Sequence, residues 1–415
     1  MSPDASFETM AFFQRVKHGL KRIGPIDRAN ARWKSWRLKK RNRDLDAFYH
    51  REASRRSVEY SEQGSVDALR ERLARRGLPR RVERPRVLWV GTNWNQDNSG
   101  FLAALQRCSD VRVAVDWNGN YGLRSDSPTL YDPSLVERNT KVLIEQIDDF
   151  RASGPIDAVF GQMWANYLSP GALHYAREVG AVTVNVALDD RLPEHWATLH
   201  GKRLGAVGLC SALDLTLTTS PEALLRYRVE DSPAIFFPMA SDPNIFQPAP
   251  ESQKEFDVSF VGARYGIRAS IVDALQRAGV SVAAFGPGWP RGSVSAEKAA
   301  EIFGRSRIIL GIGTVGHNDD VYTLKLRDFD APMSGALYLT HRNPDLMTLY
   351  EENREIVCYG SIGECIEKAR YYLGHPEDRV AIAARGLQRA QREHTWDRRF
   401  KQLFDVIGFT SYGLA

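Results

Sequence analysis

Three charged side chains in the second half of the chain have the spacing of an anion-binding segment. Lys325 and Arg327 stand two residues apart, and Asp330 follows just before a run of small residues that ends at Gly335. Two cations at this spacing can hold a diphosphate, and a carboxylate beside them can accept hydrogen bonds from a pair of ribose hydroxyls. The pattern favours a binding site over its alternative, a charged surface helix.

A glycine-bounded turn earlier in this half can meet the same anion. Gly262 comes at the end of an apolar run, and Arg264 and Arg268 lead into a helical segment. Glycine lets backbone amides approach a phosphate, and a helix N-terminus with two arginines adds positive potential. A strand-to-helix turn also needs glycine for structural reasons alone, so both interpretations stay open. His317 is a further candidate for the lining of this anion-binding pocket. The alternative is a histidine in a solvated loop.

Carboxylates after an apolar run in the first half are candidates for a catalytic base. Asp189 and Asp190 follow the run that ends at Leu188, and His195 comes shortly after them. An aspartate at this point can accept the proton of an attacking hydroxyl or hold the hydroxyls of an acceptor, with His195 as a further acceptor contact. The alternative is an aspartate that caps the next helix.

The first apolar run of the α/β part ends in a polar loop that suits a sugar. Trp94 offers an apolar face and Asn95 a hydrogen-bonding amide, so both are candidate acceptor contacts. Asp97 is a second candidate for the catalytic base. The alternative is that Asn98 and Ser99 cap the following helix.

Short apolar runs alternate with longer amphipathic stretches from residue 86 onward, which is typical of parallel α/β domains. The predicted strands are 87–91, 111–117, 158–163, 182–188, 215–219 and 234–238, then 258–261, 282–285, 308–312, 336–340 and 356–359. The predicted helices are 101–107, 135–151, 171–179 and 221–227, then 269–278, 296–303, 344–350, 362–373 and 377–404. Ligands bind beyond the carboxyl ends of parallel strands, so we expect these loops to meet at a cleft.

The pattern divides the chain into segments. We expect a helical extension over 1–85, a Rossmann-like acceptor domain over 86–240, a linker over 241–254, a Rossmann-like nucleotide domain over 255–400 and a tail over 401–415.

The four cysteines lack paired short spacings, and no His, Cys and Asp cluster has metal-ligand spacing, so neither disulfides nor a metal are expected. No stretch has the length and apolarity of a transmembrane helix or signal peptide, which favours a cytoplasmic protein.

The extension differs in charge from the rest of the chain. Residues 1–86 carry 23 Lys/Arg and 11 Asp/Glu, whereas the remaining residues carry 33 and 40. Helices are predicted over 12–23, 28–43 and 66–76, with Pro25 interrupting the first. Basic helices with interleaved tryptophans favour an anionic membrane, at its inner face, or a protein partner; nucleic acid is not expected, because no base-reading motif is present. The sequence thus predicts a separate basic unit attached to an acidic body.

The segment around Lys325 also carries a family resemblance. Lys-Leu-Arg-Asp-Phe-Asp-Ala-Pro-Met-Ser-Gly-Ala, from Lys325 to Ala336, resembles the K-x-R-x-F-E-x-P-x-x-G signature of CgeB-like (spore maturation protein type) glycosyltransferases. Segments 344–346, 355–359, 371–376 and 392–396 follow the same family's order and spacing. The likeness covers roughly 258–400 well, the first domain loosely and the extension not at all.

This resemblance implies a GT-B fold, in which two Rossmann-like domains face a cleft and the second grips a nucleoside diphosphate sugar of the UDP or GDP type. Asp330 stands where related enzymes place a glutamate that binds ribose hydroxyls, so its arm is one methylene shorter. Lys325 and Arg327 would neutralise the departing diphosphate without a metal. The expected reaction is hexosyl transfer to a hydroxyl of a glycan, lipid-linked glycan or protein. A non-catalytic scaffold acting through its basic extension and a nucleotide-sugar epimerase are the alternatives.

Overall fold

The computed structural model describes residues 24–78, 82, 84–123, 131–315 and 321–409. Within them the chain forms two parallel β-sheets, each covered by helices, and two more helices come before the first sheet. The helix predicted over 12–23 lies outside the described residues, as does His317. No described helix is both long enough and apolar enough to cross a bilayer.

Two helices precede the first sheet among the residues from 24 onward that the structure describes. α1 (Gly24–Arg56) is continuous, and α2 (Glu62–Ala74) begins where the Ser61 side chain accepts a hydrogen bond from the Gly64 amide. Pro25 lies at the beginning of α1 as it is described, and the predicted interruption between residues 12–23 and this helix falls at the edge of the described residues. The helix predicted over 66–76 corresponds to α2.

The first domain contains a six-stranded parallel sheet between two layers of helices. Its elements in chain order are β1 (Arg86–Val90), α3 (Trp94–Asp97), α4 (Phe101–Cys108), β2 (Asp110–Val113), α5 (Pro133–Arg151), β3 (Ala158–Gly161), α6 (Pro170–Glu178), β4 (Val182–Ala187), β5 (Thr198–Leu199), β6 (Lys202–Arg203), β7 (Leu215–Thr218), α7 (Ala223–Val229) and β8 (Ala234–Phe236). The sheet order is β2-β1-β3-β4-β7-β8, and β5 and β6 form a separate hairpin. Every residue of β4 is buried, as expected for a central strand with both faces covered.

The second domain contains a five-stranded parallel sheet. Its elements in chain order are β9 (Phe256–Val261), α8 (Arg268–Arg277), β10 (Val282–Phe285), α9 (Ala296–Gly304), β11 (Ser306–Leu310), α10 (Arg327–Met333), β12 (Leu337–His341), β13 (Val357–Tyr359), α11 (Ile362–Gly374), α12 (Pro376–Glu393) and α13 (Trp396–Ile407). The sheet order is β10-β9-β11-β12-β13. The prediction of two Rossmann-like parallel-sheet domains is therefore confirmed.

Each predicted strand is present, whereas several helices differ from the prediction. The helix predicted over 344–350 is wrong: a single 3₁₀ turn forms at Leu346–Thr348, where Asn343 Oδ1 accepts from the Asp345 amide. The single helix predicted over 377–404 is also wrong. Thr395 has an extended backbone and its side chain caps α13, so the chain breaks between α12 and α13.

The last helix returns to the first domain. Phe101 of α4 packs at 5.0 Å, between ring centroids, against both Trp396 and Phe400 of α13. Arg107 of the first domain pairs with Asp397, and also with Asp242 in the segment between the sheets. Aromatic packing and ion pairs therefore join the two domains through α13.

The extension helices are packed against the first domain as well. Tyr49 of α1 is buried, and its ring lies 5.2 Å from that of Trp196. Arg226 pairs with Asp46 of α1 at 2.7 Å, and α2 buries Leu69 completely in the core beneath the sheet. The expectation of a separate basic unit is therefore wrong for these helices, because their apolar positions are part of the domain core.

Candidate active site

A cavity of about 460 Å³ lies between the two domains, at the carboxyl ends of both sheets. The second domain contributes the loops after β9 and β10 and the start of α10, and the first contributes the loops after β1 and β4. The lining includes several residues predicted from the sequence: Asn95, Asp189, Gly262, Lys325, Arg327 and Asp330. These residues are far apart in the chain. They meet here because they follow the carboxyl ends of parallel strands, which is where ligands bind in such sheets.

Arg327 lies at the carboxyl ends of two neighbouring strands. Its Nη1 donates to the Val261 carbonyl oxygen at 2.7 Å, and its Nη2 donates to that of Ile312 at 3.2 Å. Gly262 has a φ of 156°, and a Cβ there would lie 2.7 Å from Arg327 Nη1, so this close approach requires glycine. Burial, together with the Arg327 charge, lowers the pKa of the adjacent Arg268 to about 10. Arg327 lines the cavity and Arg268 lies behind the turn at Gly262, outside the lining, so both guanidinium groups add positive potential at this end.

Lys325 connects the two sides of the cavity. Its Nζ lies 2.7 Å from Asp189 Oδ1 of the first domain, and the Thr323 hydroxyl donates to the same oxygen at 2.8 Å. Burial raises the pKa of Asp189, but Lys325 and Thr323 outweigh it and hold the pKa below its ordinary value. The Asp189 side chain keeps 35% of its surface exposed, so an ionised carboxylate faces the cavity.

Asp330 places a carboxyl group in the cavity wall. Its side chain is 4% exposed, and its Oδ1 accepts no hydrogen bond of normal geometry among the described residues, although the Ser241 hydroxyl lies close enough to oppose the rise of its pKa. Burial raises the pKa of Asp330 well above its ordinary range. A buried oxygen without a partner is costly unless a ligand completes its hydrogen bonds, and a hydroxyl-bearing ligand would do so.

Asp190 faces away from the cavity, and the prediction that its carboxylate lies in the cleft is wrong. Its Oδ2 accepts hydrogen bonds from Thr218 Oγ1 at 2.6 Å and from the Tyr227 hydroxyl at 2.9 Å inside the first domain. Burial raises its pKa to about 6. The backbone φ of 57° at Asp189 turns the chain at this point, and the two neighbouring carboxylates point to opposite sides.

The Arg264 side chain, predicted to bind the donor, does not line this cavity. Its guanidinium lies 5.3 Å from the centre of the Trp289 ring, and both side chains line a separate cavity of about 550 Å³. The Arg264 amide donates to the Pro287 carbonyl oxygen, which ties this turn to the loop after the edge strand β10. Of the two predicted arginines in the turn, only Arg268 lies beside Arg327.

Asp97 is buried, and its carboxyl group accepts hydrogen bonds inside the first domain. Its Oδ2 accepts from the Tyr121 hydroxyl at 2.6 Å, and its Oδ1 accepts from Gln162 Nε2 at 3.1 Å. Burial raises its pKa to about 6, but the carboxyl group does not line the cavity. Of its predicted neighbours, Asn95 lines the cavity, whereas the half-exposed Trp94 lies against the edge of Tyr121 and outside it.

His195 is buried, which contradicts its predicted contact with the acceptor. Its ring lies edge-on to Trp164 with 4.6 Å between centroids, and burial lowers its pKa to about 4, so the imidazole is neutral at pH 7. Trp164 and Gln162 line a second cavity instead. Neither residue was predicted from the sequence, because neither carries a charge. Both nevertheless follow the end of β3, where ligand contacts are expected.

Within the described part of the chain, no group of three or more His, Cys, Asp and Glu side chains could hold a metal ion. The four cysteines are free and buried. Burial raises the pKa of Cys210 and of Cys358 to about 12, so both are protonated thiols in the interior.

Comparisons with known proteins agree with this architecture. Residues 268–405 match a family described as "Glycosyl transferase-like", and no curated protein matches the sequence. The Anabaena protein HepE in complex with UDP-glucose is similar in structure, with a TM-score of 0.54, 12% identity and coverage of 78% of this chain and 99% of HepE. Sucrose-phosphate synthase from Thermosynechococcus elongatus gives 0.53 and 11%, covering 78% and 98% of the two chains. An α-glucosyltransferase bound to UDP and a 13-mer DNA gives 0.54 and 9%, covering 79% and 100%. The chain therefore has the GT-B fold.

Proposed function

We propose that this chain is a glycosyltransferase of the CgeB-like type that moves a hexosyl group from a nucleoside diphosphate sugar to a hydroxyl acceptor. The observation that carries the proposal is the cavity in which Lys325, Arg327 and Asp330 face Asp189 across the two domains. The family match over 268–405 and the GT-B fold support it. The donor is of the UDP or GDP type, and the complexes of similar structures with UDP-glucose and UDP support the UDP type.

The donor half of the proposal is electrostatic. Cleavage of the sugar–phosphate bond leaves negative charge on the diphosphate, and Lys325 and Arg327 lie where they can stabilise it. Arg327 is already fixed by two backbone carbonyls, so little reorganisation is needed during the reaction.

Because protein side chains supply this positive charge, we propose that no metal is needed. Full turnover in EDTA would support this, and loss of turnover that Mg²⁺ restores would contradict it.

The acceptor half depends on Asp189. Its carboxylate faces the cavity, whereas Asp97 and Asp190 are both enclosed in the first domain. An ionised carboxylate can orient an attacking hydroxyl and accept its proton as the new glycosidic bond forms. We propose that Asp189 takes this role and that Asp330 accepts hydrogen bonds from the ribose of the donor.

A panel of UDP-, GDP-, dTDP- and CMP-sugars tests the function directly. We expect one nucleotide class to raise the unfolding temperature of the full chain, because a ligand at a hundred times its Kd stabilises the folded state by about 2.7 kcal/mol. Mass spectrometry then detects transfer to a mixture of glycan acceptors. No stabilisation by any member of the panel would favour the scaffold alternative, and turnover of the donor sugar without any acceptor would favour epimerisation.

We also propose that α1 attaches the protein to the inner face of an anionic membrane. Trp33 and Trp36 are 52% and 54% exposed, and Arg37 and Lys40 lie over their rings. The stretch from Trp33 to Arg43 holds six Lys/Arg and no Asp/Glu. Indole rings and cations together suit the interface of a negatively charged bilayer, where each cation near the surface contributes roughly 1 kcal/mol.

Vesicle flotation tests this attachment. We expect the full chain to float with vesicles that contain phosphatidylglycerol and to stay at the bottom with phosphatidylcholine alone. Replacing Trp33 and Trp36 with alanine should reduce the floating fraction severalfold, whereas Trp117→Ala, at another exposed tryptophan, should not change it. Removal of residues 1–85 is a poor variant, because it would uncover the core beneath α2. Equal flotation of the double variant would contradict the proposal.

A further inference from the structure

A second cavity of about 220 Å³ adjoins the first, entirely within the first domain. It lies at the carboxyl ends of β1, β3 and β4, and it shares part of its wall with the larger cavity. The shared residues are Asn93, Gln96, Leu188 and Asp189. A ligand here would therefore lie beside the proposed donor site, with Asp189 bordering both.

A network of neutral amides and hydroxyls forms one wall of this smaller cavity. Gln162 Oε1 accepts from Thr92 Oγ1 at 2.9 Å and from Gln96 Nε2 at 3.2 Å, while Gln162 Nε2 donates to the buried Asp97. These bonds fix the orientation of the Gln162 amide. Rigid groups that can both donate and accept hydrogen bonds suit the hydroxyls of a sugar.

An aromatic platform forms another wall. Trp164 is only partly buried and lines the cavity, with His195 at its edge and Tyr167 beside it at 6.5 Å between ring centroids. Because the pKa of His195 is lowered to about 4 by burial, this backing adds no positive charge at neutral pH. An indole face can pack against the apolar face of a pyranose ring.

The charge of the two cavities differs. The larger cavity contains Lys325 and Arg327, whereas the lining of the smaller one holds no Lys, Arg or His among the described residues. Asp189 is the one residue of that lining that is ionised at neutral pH. An acceptor with a phosphate or carboxylate would meet the like charge of Asp189 here, and the Lys325 ammonium beside it is already paired with Asp189 at 2.7 Å and lines only the larger cavity.

We infer that the smaller cavity is the acceptor subsite and that it takes a single uncharged sugar ring, the terminal unit of a neutral glycan or glycoside. This inference rests on the proposed function and adds the substrate class of its acceptor. Trp164 packs on the ring, the amide network around Gln162 binds its hydroxyls, and Asp189 meets the hydroxyl that points toward the donor. Phosphorylated sugars and uronic acids are excluded by charge.

Saturation-transfer NMR on the full chain with bound UDP tests the inference. The probes are a panel of neutral methyl hexosides together with glucose 6-phosphate and glucuronate. We expect signal transfer to at least one neutral glycoside and none to the two anions. Trp164→Ala should weaken glycoside binding by about tenfold, Trp164→Phe should retain most of it, and Trp117→Ala should leave it unchanged.

Calorimetric UDP affinity, measured on the same samples, separates this inference from the proposed function. If UDP binds and the anionic probes bind as well as the neutral ones, or if no neutral probe binds, the acceptor class is wrong while the donor proposal stands. If Trp164→Ala and Trp164→Phe both retain full glycoside binding at unchanged thermal stability, the cavity is not the subsite. Failure of both UDP and GDP to bind would contradict the donor proposal, and the acceptor inference, which rests on it, would fall with it.

Discussion

Lys325→Ala and Arg327→Ala are each expected to lower kcat/KM for sugar transfer by about 10²–10³-fold, the usual effect of removing one preorganised group that stabilises developing negative charge. Nucleotide affinity should fall in both variants, because the same cations meet the diphosphate in the ground state. Arg327→Lys should recover only part of the loss. An ammonium cannot reproduce the planar guanidinium that bonds to the Val261 and Ile312 carbonyl oxygens at once.

Arg264→Ala is the matched control for these variants. It removes an arginine from the same stretch of sequence as Gly262, but its side chain lies over Trp289 in a separate cavity. We expect its kcat/KM and its nucleotide affinity to stay within about twofold of the native values, since no donor contact is lost. Isothermal titration calorimetry with the best nucleotide gives the affinities. Unchanged affinity in both Lys325→Ala and Arg327→Ala would overturn the donor site.

The cavity lining that the second domain contributes could be predicted from the sequence because its parts are close together in the chain. Lys325, Arg327 and Asp330 lie within six consecutive residues, so their spacing alone keeps them close to one another. All three line the cavity, and Gly262 meets them from the turn after β9. The strands were predictable for a related reason: buried parallel strands are short continuous apolar runs, as β4 shows.

The cavity lining that the first domain contributes was predicted less accurately, because it depends on contacts between distant segments. Asp189 and Asp190 are neighbours in sequence, and only the backbone turn at Asp189 decides which of them reaches the cavity. The burial of His195 depends on Trp164, thirty-one residues earlier in the chain. Spacing within one segment carries no information about either arrangement.

The packing of α1, α2 and α13 was missed for the same physical reason. α1 and α2 look like an independent basic unit because their charges dominate the composition. Yet Tyr49 and Leu69 are buried in contacts with residues more than a hundred positions away. α13 shows the apolar periodicity of a surface helix, but the partner of Phe400 is Phe101 in the other domain. A periodic apolar face predicts that a helix is buried on one side, but it does not indicate which part of the protein that side packs against.

Asp189→Asn should separate the acceptor chemistry from donor binding. The amide keeps the shape of the side chain but loses the charge and the capacity to take a proton, so we expect transfer to fall by about 10²–10⁴-fold. Nucleotide affinity should change little, because Lys325 and Arg327 remain. Asp190→Asn is the neighbouring control. It should lower stability by about 1–3 kcal/mol through the buried bonds to Thr218 and Tyr227, with a much smaller effect on the rate. Equal rate losses in both variants at equal stability would contradict the assignment.

The pH dependence of kcat/KM for the donor distinguishes Asp189 from Asp97 as the base, because it reports the pKa of the essential group in the free enzyme. Lys325 and Thr323 hold the pKa of Asp189 below its ordinary value of about 3.9. The required form is the carboxylate, so activity should stay constant as the pH falls from 8 to about 5 and decline only below that. If Asp97 were the base, its pKa of about 6 would halve the activity near pH 6. A decline centred near pH 6, in a protein still folded at that pH, would therefore exclude Asp189 and return the role to Asp97 or Asp190, whose pKa values are both about 6.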